Sequence, residues 1–216
     1  CAAIAHGQKP PKGFSVGNFN SIILKNLVSA FKDQTPHWIF LSSISVYGDA
    51  HSDKNIPLIK RPKPFNSYGI GKLNDEEYLM KNCQHLDIFR LMPVYDEKNL
   101  DDIKKRVYFP KTNIKILISP SPIHSLCNIK EVLYAVQNCM QFSKGQRYSN
   151  VGDTKPLKQS VIASWFDGKV FYLPQFIFKV LFELLPKKFT LSRNIAFLIK
   201  KFALNNIYKI EIRSVK

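Results

Sequence analysis

Two side chains four residues apart carry the clearest chemistry in this sequence. They are the phenol of Tyr68 and the ammonium of Lys72, in Tyr68-Gly69-Ile70-Gly71-Lys72. On a helix, residues i and i+4 share a face. A free phenol has a pKa of about 10, too high for a base at neutral pH. A cation one turn away favours the phenolate, so Lys72 is expected to pull that value down. Taken alone, the pair fits an exposed Tyr/Lys contact equally well. Upstream stands a hydroxyl cluster, Ser42, Ser43 and Ser45, directly after the apolar run His37 to Leu41. Taken alone, Ser43 reads as a strand-end hydroxyl that caps local backbone.

The elements that must position these groups follow from periodicity. Phe19 to Lys32 places Ile22, Ile23, Leu27 and Ala30 on one side and predicts a helix that Pro36 stops. His37 to Leu41, bounded by a proline and a serine pair, predicts a buried strand. A proline-bearing polar loop is expected from Gly48 to Asn66, then a helix over Ser67 to Cys83 and a second strand over Leu86 to Leu91. Helix, strand, helix, strand is the alternation of an α/β fold with a parallel sheet. Further on, Asn113 to Ile118 reads as a strand, Ile129 to Phe142 as a helix, Arg147 to Val151 as a short strand and Pro156 to Trp165 as a helix. The basic, aromatic last third predicts a smaller, mostly helical portion over 151–216, beside a sheet domain over 1–150.

Several motifs occur in order. The apolar strand leads into Leu41-Ser42-Ser43-Ile44-Ser45-Val46-Tyr47-Gly48-Asp49. A proline-rich loop then ends Pro64-Phe65-Asn66-Ser67-Tyr68-Gly69, and Lys72 is followed by Leu73-Asn74-Asp75-Glu76-Glu77-Tyr78. This series resembles the extended short-chain dehydrogenase/reductase family, in its NAD-dependent nucleotide-sugar epimerase and dehydratase branch. Weaker matches extend the likeness. Ala2-Ala3 with His6 looks like the end of the family's fourth strand, and Asn20 like its helix-borne Asn near the nicotinamide. Arg90-Leu91-Met92-Pro93-Val94-Tyr95 resembles the segment after the sixth strand. Tyr148 to Asp153 resembles a late strand, and Leu204 to Tyr208 the C-terminal region.

The resemblance implies a Rossmann-like sheet with a smaller substrate-binding portion. It implies Tyr68 as proton acceptor or donor at a sugar hydroxyl, with Lys72 lowering its pKa and holding the nicotinamide ribose. It implies Ser43, three residues before Val46, as the hydroxyl that bonds the same sugar oxygen. NAD, with NADP as the alternative, would carry hydride. Asn20, Tyr68, Lys72 and Pro93 are the implied cofactor-binding residues. The implied partners are a nucleotide sugar and a second copy, paired through helices that include Ser67 to Cys83. A 4-epimerase of surface-polysaccharide metabolism is the leading expectation. A 4-keto-sugar reductase or dehydratase, a non-catalytic family remnant and a peripheral membrane module are the alternatives. A dehydratase usually has Thr-Asp-Glu where this chain has Ser43-Ile44-Ser45.

Departures from the pattern are specific. No Gly-x-x-Gly-x-x-Gly occurs among the nine glycines, and that turn is what binds the cofactor pyrophosphate in such folds. The chain is therefore expected to begin near the end of the family's fourth strand, without roughly the first third of an ordinary member. After Asn20 the usual Gly-Thr is replaced by Ile23-Leu24. Asp96 stands where many members have Gly, Met92-Pro93 lacks an Asn that several epimerases use, and His124-Ser125 stands where an Arg-Ser often serves substrate phosphates.

Composition narrows the rest. The 216 residues are 45% hydrophobic, which is enough for a core and excludes disordered and collagen-like classes. The net charge is +16, but only six of the 32 basic residues are Arg. Nucleic-acid surfaces favour Arg for its bidentate contacts, so nucleic-acid binding is not expected. The cysteines at 1, 83, 127 and 139 show no Cys-x-x-Cys spacing, and the histidines at 6, 37, 51, 85 and 124 show no ligand spacing, so no metal is expected. Without a charged leader, a cytoplasmic setting with free thiols is expected. The apolar stretches Val170 to Leu185 and Asn194 to Leu204 are shorter than the ~18–20 residues of a membrane span. The first predicts a buried helix opened by Pro174. A helix lying on a membrane surface, helped by Lys187, Lys188, Lys200 and Lys201, is the other reading.

Overall fold

The computed structural model describes residues 9–34, 36–48, 52–58, 62–64, 66–109, 111–141, 145–186 and 189–215. Ala2, Ala3 and His6, read as a strand end, lie outside them, as do Cys1, Asp49, His51 and Phe65.

The frame is a four-stranded sheet with helices on both faces. Helix α1 (Val16–Ala30) starts where the Ser15 side chain accepts the Asn18 N–H. Strand β1 (His37–Ser43) follows, then β2 (Ser52–Ile56), α2 (Ser67–Asn82), β3 (His85–Leu91) and β4 (Val94–Tyr95). Next come α3 (Asp101–Lys104), β5 (Ile114–Ser119), β6 (Ile123–His124), β7 (Cys127–Asn128), α4 (Ile129–Gln141) and β8 (Gln146–Val151). The last part holds β9 (Leu157–Lys158), α5 (Gln159–Ala163), β10 (Lys169–Pro174), α6 (Gln175–Leu184), α7 (Thr190–Ala203), β11 (Asn206–Tyr208) and β12 (Glu211–Val215). The main sheet has the order β1-β3-β8-β12. Its first three strands are parallel, in a register that sets Phe40 beside Ile88 and Ile88 beside Tyr148, and β12 runs antiparallel to β8.

Alternation along the strands sorts the core into two faces. Leu86 and Ile88, with Trp38 and Phe40, point to the α1 and α2 side, where Val28, Leu79 and Cys83 meet them. Phe89, with Ile39 and Leu91, points the other way, to Val132, Val136 and Cys139 of α4. Five consecutive buried residues in β3 mark it as a central strand covered on both faces. Each fully buried Leu, Ile or Phe in these layers contributes roughly 1.5–3 kcal/mol. Cys83, Cys127 and Cys139 are buried free thiols.

The structure departs from the sequence expectation where strands find distant partners. The loop expected over Gly48 to Asn66 contains β2, paired parallel with β11, some 150 residues away. The helix expected over Pro156 to Trp165 is shortened to α5, because Leu157 and Lys158 pair with Ile123 and His124. The run expected as a buried helix over Val170 to Leu185 begins as β10, which lies parallel to β5 and turns helical only at Gln175. That helix is mostly exposed, with only Gln175 and Phe182 buried. Among the described residues, 151–216 thus hold the four strands β9 to β12, and β12 joins the sheet built by residues 37–151.

One close approach fixes how α2 sits. A Cβ on Gly69 would collide with the Ser45 carbonyl oxygen and press on Pro64, whereas a Cβ on Gly71 meets nothing within 4 Å. Gly69→Ala is therefore expected to lose about 1–3 kcal/mol of stability. Gly71→Ala is expected to gain up to about 1 kcal/mol from helix propensity. Urea denaturation of the two single variants checks the opposite signs.

Candidate functional site

The site forms where the C-terminal end of β1 meets the first turn of α2. Ser43 is the last residue of β1, and its Oγ accepts the Ser45 N–H at 3.1 Å, so it caps the short 3-10 turn Ile44–Tyr47. Gly48 closes that turn at φ 63°, a backbone conformation open to glycine. Asn66 caps α2 by accepting the Gly69 N–H at 2.7 Å, which presents Tyr68 on the first turn.

Tyr68 is 58% exposed, and its phenol meets the Ser43 hydroxyl. Protein packed around the phenol oxygen raises its pKa. The Ser43 hydrogen bond opposes that rise, and the negative charge of Asp102 adds to it. The Lys72 ammonium is docked on β1. Its Nζ donates to the Leu41 carbonyl at 2.9 Å and lies 4.7 Å from the Phe40 ring centroid. Burial lowers the Lys72 pKa, against the pull of Asp75 and Glu76. The phenol is thus raised where the sequence reading expected it lowered, because burial outweighs a cation that is docked on β1.

Ser43, Tyr68 and Lys72 are brought together on one strand end and one helix face. Asn20 lies on α1, and the hydroxyl of the next residue, Ser21, donates to Asp75 of α2. Pro93 follows β3, and its carbonyl accepts the Cys127 N–H at 3.0 Å.

Beneath the site lies a group that the spacing did not reveal. Arg90 donates to Glu76 through Nη2 at 2.7 Å and Nε at 3.1 Å, with both side chains fully buried. Ser42 donates to the same carboxylate, and Tyr47 donates to Asn150. The guanidinium lies between the rings of Tyr47 and Tyr148, 5.2 and 4.6 Å from their centroids. Burial opposes the Arg90 charge, but bonding to Glu76 outweighs it and raises its pKa. Arg90 and Glu76 both stand in the quoted motifs, and alternation along β3 together with a polar residue in a buried strand was the available signal.

A second unforeseen group gathers around Asp102 of α3 and Lys201 of α7, and the Asp102 charge acts on the phenol. Lys201 donates to Asp102 at 2.7 Å, and Arg106 donates to the Lys201 carbonyl at 3.2 Å. Burial raises the Asp102 pKa, but Lys201 and Arg106 more than reverse this and hold it low. Lys200 donates to the Gly48 carbonyl at 2.7 Å, tying α7 to the turn after Ser43. His124 is fully buried beside Arg106, and among the described residues neither of its ring nitrogens has a hydrogen-bond partner. Burial and the Arg106 charge push its pKa well below the ordinary imidazole value. Asp102 and Arg106 are four residues apart, but His124 and Lys201 lie far along the chain, so only the fold assembles the group.

At the opposite end of the sheet, His37, Asp87 and Cys139 place three possible ligand atoms within 4.8 Å of one another. Arg147 bonds both Asp87 oxygens at 2.7 and 2.8 Å, and His37 Nε2 lies 2.7 Å from one of them. The carboxylate is satisfied as an ion pair, and a metal there would face a guanidinium.

No protein-family profile matches the chain, and no curated protein matches it in sequence. Solved structures do match in fold. UDP-glucuronic acid 4-epimerase from Bacillus cereus, in complex with NAD, aligns with TM-score 0.58 and 18% identity over 77% of this chain and 60% of that one. The UDP-Glc/GlcNAc 4-epimerase of Campylobacter jejuni aligns with TM-score 0.59 and 17% identity over 74% and 58%. The dTDP-4-dehydrorhamnose reductase of Bacillus anthracis, in complex with NADP, aligns with TM-score 0.55 and 16% identity over 73% and 59%. The chain shares the α/β fold of these structures and spans about three-fifths of their length.

Two measurements probe the groups around the site. Arg90→Met leaves Glu76 buried and uncompensated, and is expected to cost about 3–5 kcal/mol in urea denaturation; the double variant Glu76→Leu/Arg90→Met is expected to cost less than that single change. The second is a pH dependence. The His124 pKa is lower folded than unfolded, so its contribution is fully present above about pH 6.5 and falls away as pH drops, when the unfolded chain takes a proton the native one refuses. Stability should therefore decline toward pH 5 with a slope that approaches about 1.4 kcal/mol per pH unit from this residue, and His124→Leu should remove that component.

Proposed function

We propose that this chain carries the proton-transfer site of an NAD-dependent nucleotide-sugar 4-epimerase type. The observation that carries the reading is the Tyr68 phenol against the Ser43 hydroxyl, at the end of a parallel strand with Lys72 one turn along the same helix. Tyr68 exchanges a proton with a sugar hydroxyl, and Ser43 donates to the same sugar oxygen, sharing charge as the proton moves. When bound, NAD supplies the hydride acceptor and donor.

The residues present fit the nicotinamide end of that cofactor. Lys72 commits one of its three N–H bonds to Leu41, leaving donors for ribose hydroxyls, and the Tyr68 ring is exposed. Asn20 and Pro93 stand on the flanking elements. For the pyrophosphate end, the sequence contains no Gly-x-x-Gly-x-x-Gly. The cations Arg106, Lys200 and Lys201, against the single acid Asp102, support an anionic substrate such as a sugar diphosphate. Residues 151–204 would supply that substrate side, and α1 with α2 would meet a second copy. A 4-keto-sugar reductase is the second reading, favoured by the reductase among the structural neighbours.

Calorimetric titration with NAD, followed by turnover assays on UDP-linked sugars, tests the proposal. Saturable NAD binding and epimer formation are expected. Tyr68→Phe is expected to lower turnover by at least about 100-fold while leaving NAD affinity nearly intact. Unchanged turnover in that variant, or no NAD binding by the chain, overturns the reading. Stoichiometric consumption of NADPH in place of catalytic NAD selects the reductase.

A further inference from the structure

We propose that the face built by β10, α6 and α7 docks on an anionic lipid surface. Both helices carry two apolar faces. Through one they pack on each other: Phe182, Ala196, Ile199 and Leu204 are buried there, with Phe178 and Leu185 at the margin. The other face is in solvent. On α6, Phe176, Ile177, Val180, Leu181 and Leu184 are all exposed, at spacings that put them on one stripe of roughly 140°. On α7, Leu191, Ile195 and Leu198 repeat the pattern at i, i+4 and i+7. Exposure is high where it matters: 75% for Leu184, 72% for Leu191 and 66% for Phe176. The adjoining strand exposes Phe171 and Tyr172 as well, 55% and 70%, on its alternate sides. An apolar surface built from three successive elements exceeds the scattered exposure of an ordinary soluble surface.

Charge decides what covers it. Residues 169–199 contain five Lys or Arg and one acid, Glu183, while Lys200 and Lys201 turn inward to Gly48 and Asp102. Lys169 and Lys179 are exposed beside the apolar stripe. A second copy would set two faces of the same positive sign against each other. An anionic lipid surface neutralises that charge while taking up the Phe and Leu side chains, with aromatic rings at the headgroup level. Among the described residues no helix is long and apolar enough to cross a membrane. At 10 residues, α6 is about 15 Å long, suited to lying in the interface plane.

The test is co-sedimentation of the purified full chain with vesicles of phosphatidylcholine alone, or with about one-third phosphatidylglycerol. Binding to the anionic vesicles is expected, weakening as salt rises. Phe176→Glu/Leu184→Asp, two exposed positions remote from Ser43 and Tyr68, is expected to lose at least about tenfold in binding while circular dichroism stays unchanged. Lys179→Gln is expected to lose about fivefold. Equal binding to both vesicle types overturns the anionic assignment. No vesicle binding, or binding unaffected by the double variant, overturns the proposal. A dimer in sedimentation analysis that the same double variant dissociates, with no vesicle binding, assigns the face to a second copy instead. None of these readouts depends on NAD binding or turnover, so they stand or fall apart from the proposed activity.

Discussion

The buried ion pair between Arg90 and Glu76 holds the site together. It joins three elements at once, because Glu76 stands on α2, Arg90 on the central strand β3, and Ser42, which shares the carboxylate, on β1. Charges this deep are tolerated only when they are paired and hydrogen-bonded on every side. Any slip of α2 along the sheet would break several of those bonds together. Tyr68, Lys72 and Glu76 recur every four residues on α2, so the register that satisfies Glu76 also lays Lys72 on the Leu41 carbonyl and brings Tyr68 to Ser43. The pair contributes placement more than net stability, since an apolar replacement of both partners could fill the same space.

Electrostatics around the site follow from how much protein surrounds each group. Tyr68 and Lys72 are both pushed toward their neutral forms by burial, the phenol upward and the ammonium downward. Asp102 is pulled the other way, toward its charged form, because Lys201 bonds it directly. The Lys200 bond to Gly48 links the cationic helix α7 to the turn that displays Ser43, so the C-terminal part of the chain shapes the site mechanically as well as electrostatically.

Legibility in the sequence tracks contact distance along the chain. Helix α2 and strands β1 and β3 were readable because each is a short patterned segment: Pro36 and a serine pair bound the apolar run of β1, and a motif with four-residue spacing opens α2. Strands β2, β9 and β11 were not, since two or three paired residues have no period to detect and depend on partners up to 150 residues away. The run from Val170 shows the same limit. Its aromatic and β-branched residues suit a strand, and pairing with β5 outweighs the helical pattern that resumes at Gln175.

Sequence alone determined the chemical types of the site and their local order. Ser43, Tyr68 and Lys72 lie in tight motifs, and a four-residue helical spacing or a strand end is a property of nearby residues. Tertiary structure decided what those groups experience. It set the Lys72 ammonium on a backbone carbonyl, brought the Asp102 charge to bear on Tyr68, and buried His124 with no hydrogen-bond partner among the described residues. The reason is physical: covalent spacing sets which side chains share a face, but burial and charge at that face come from elements that only folding brings near.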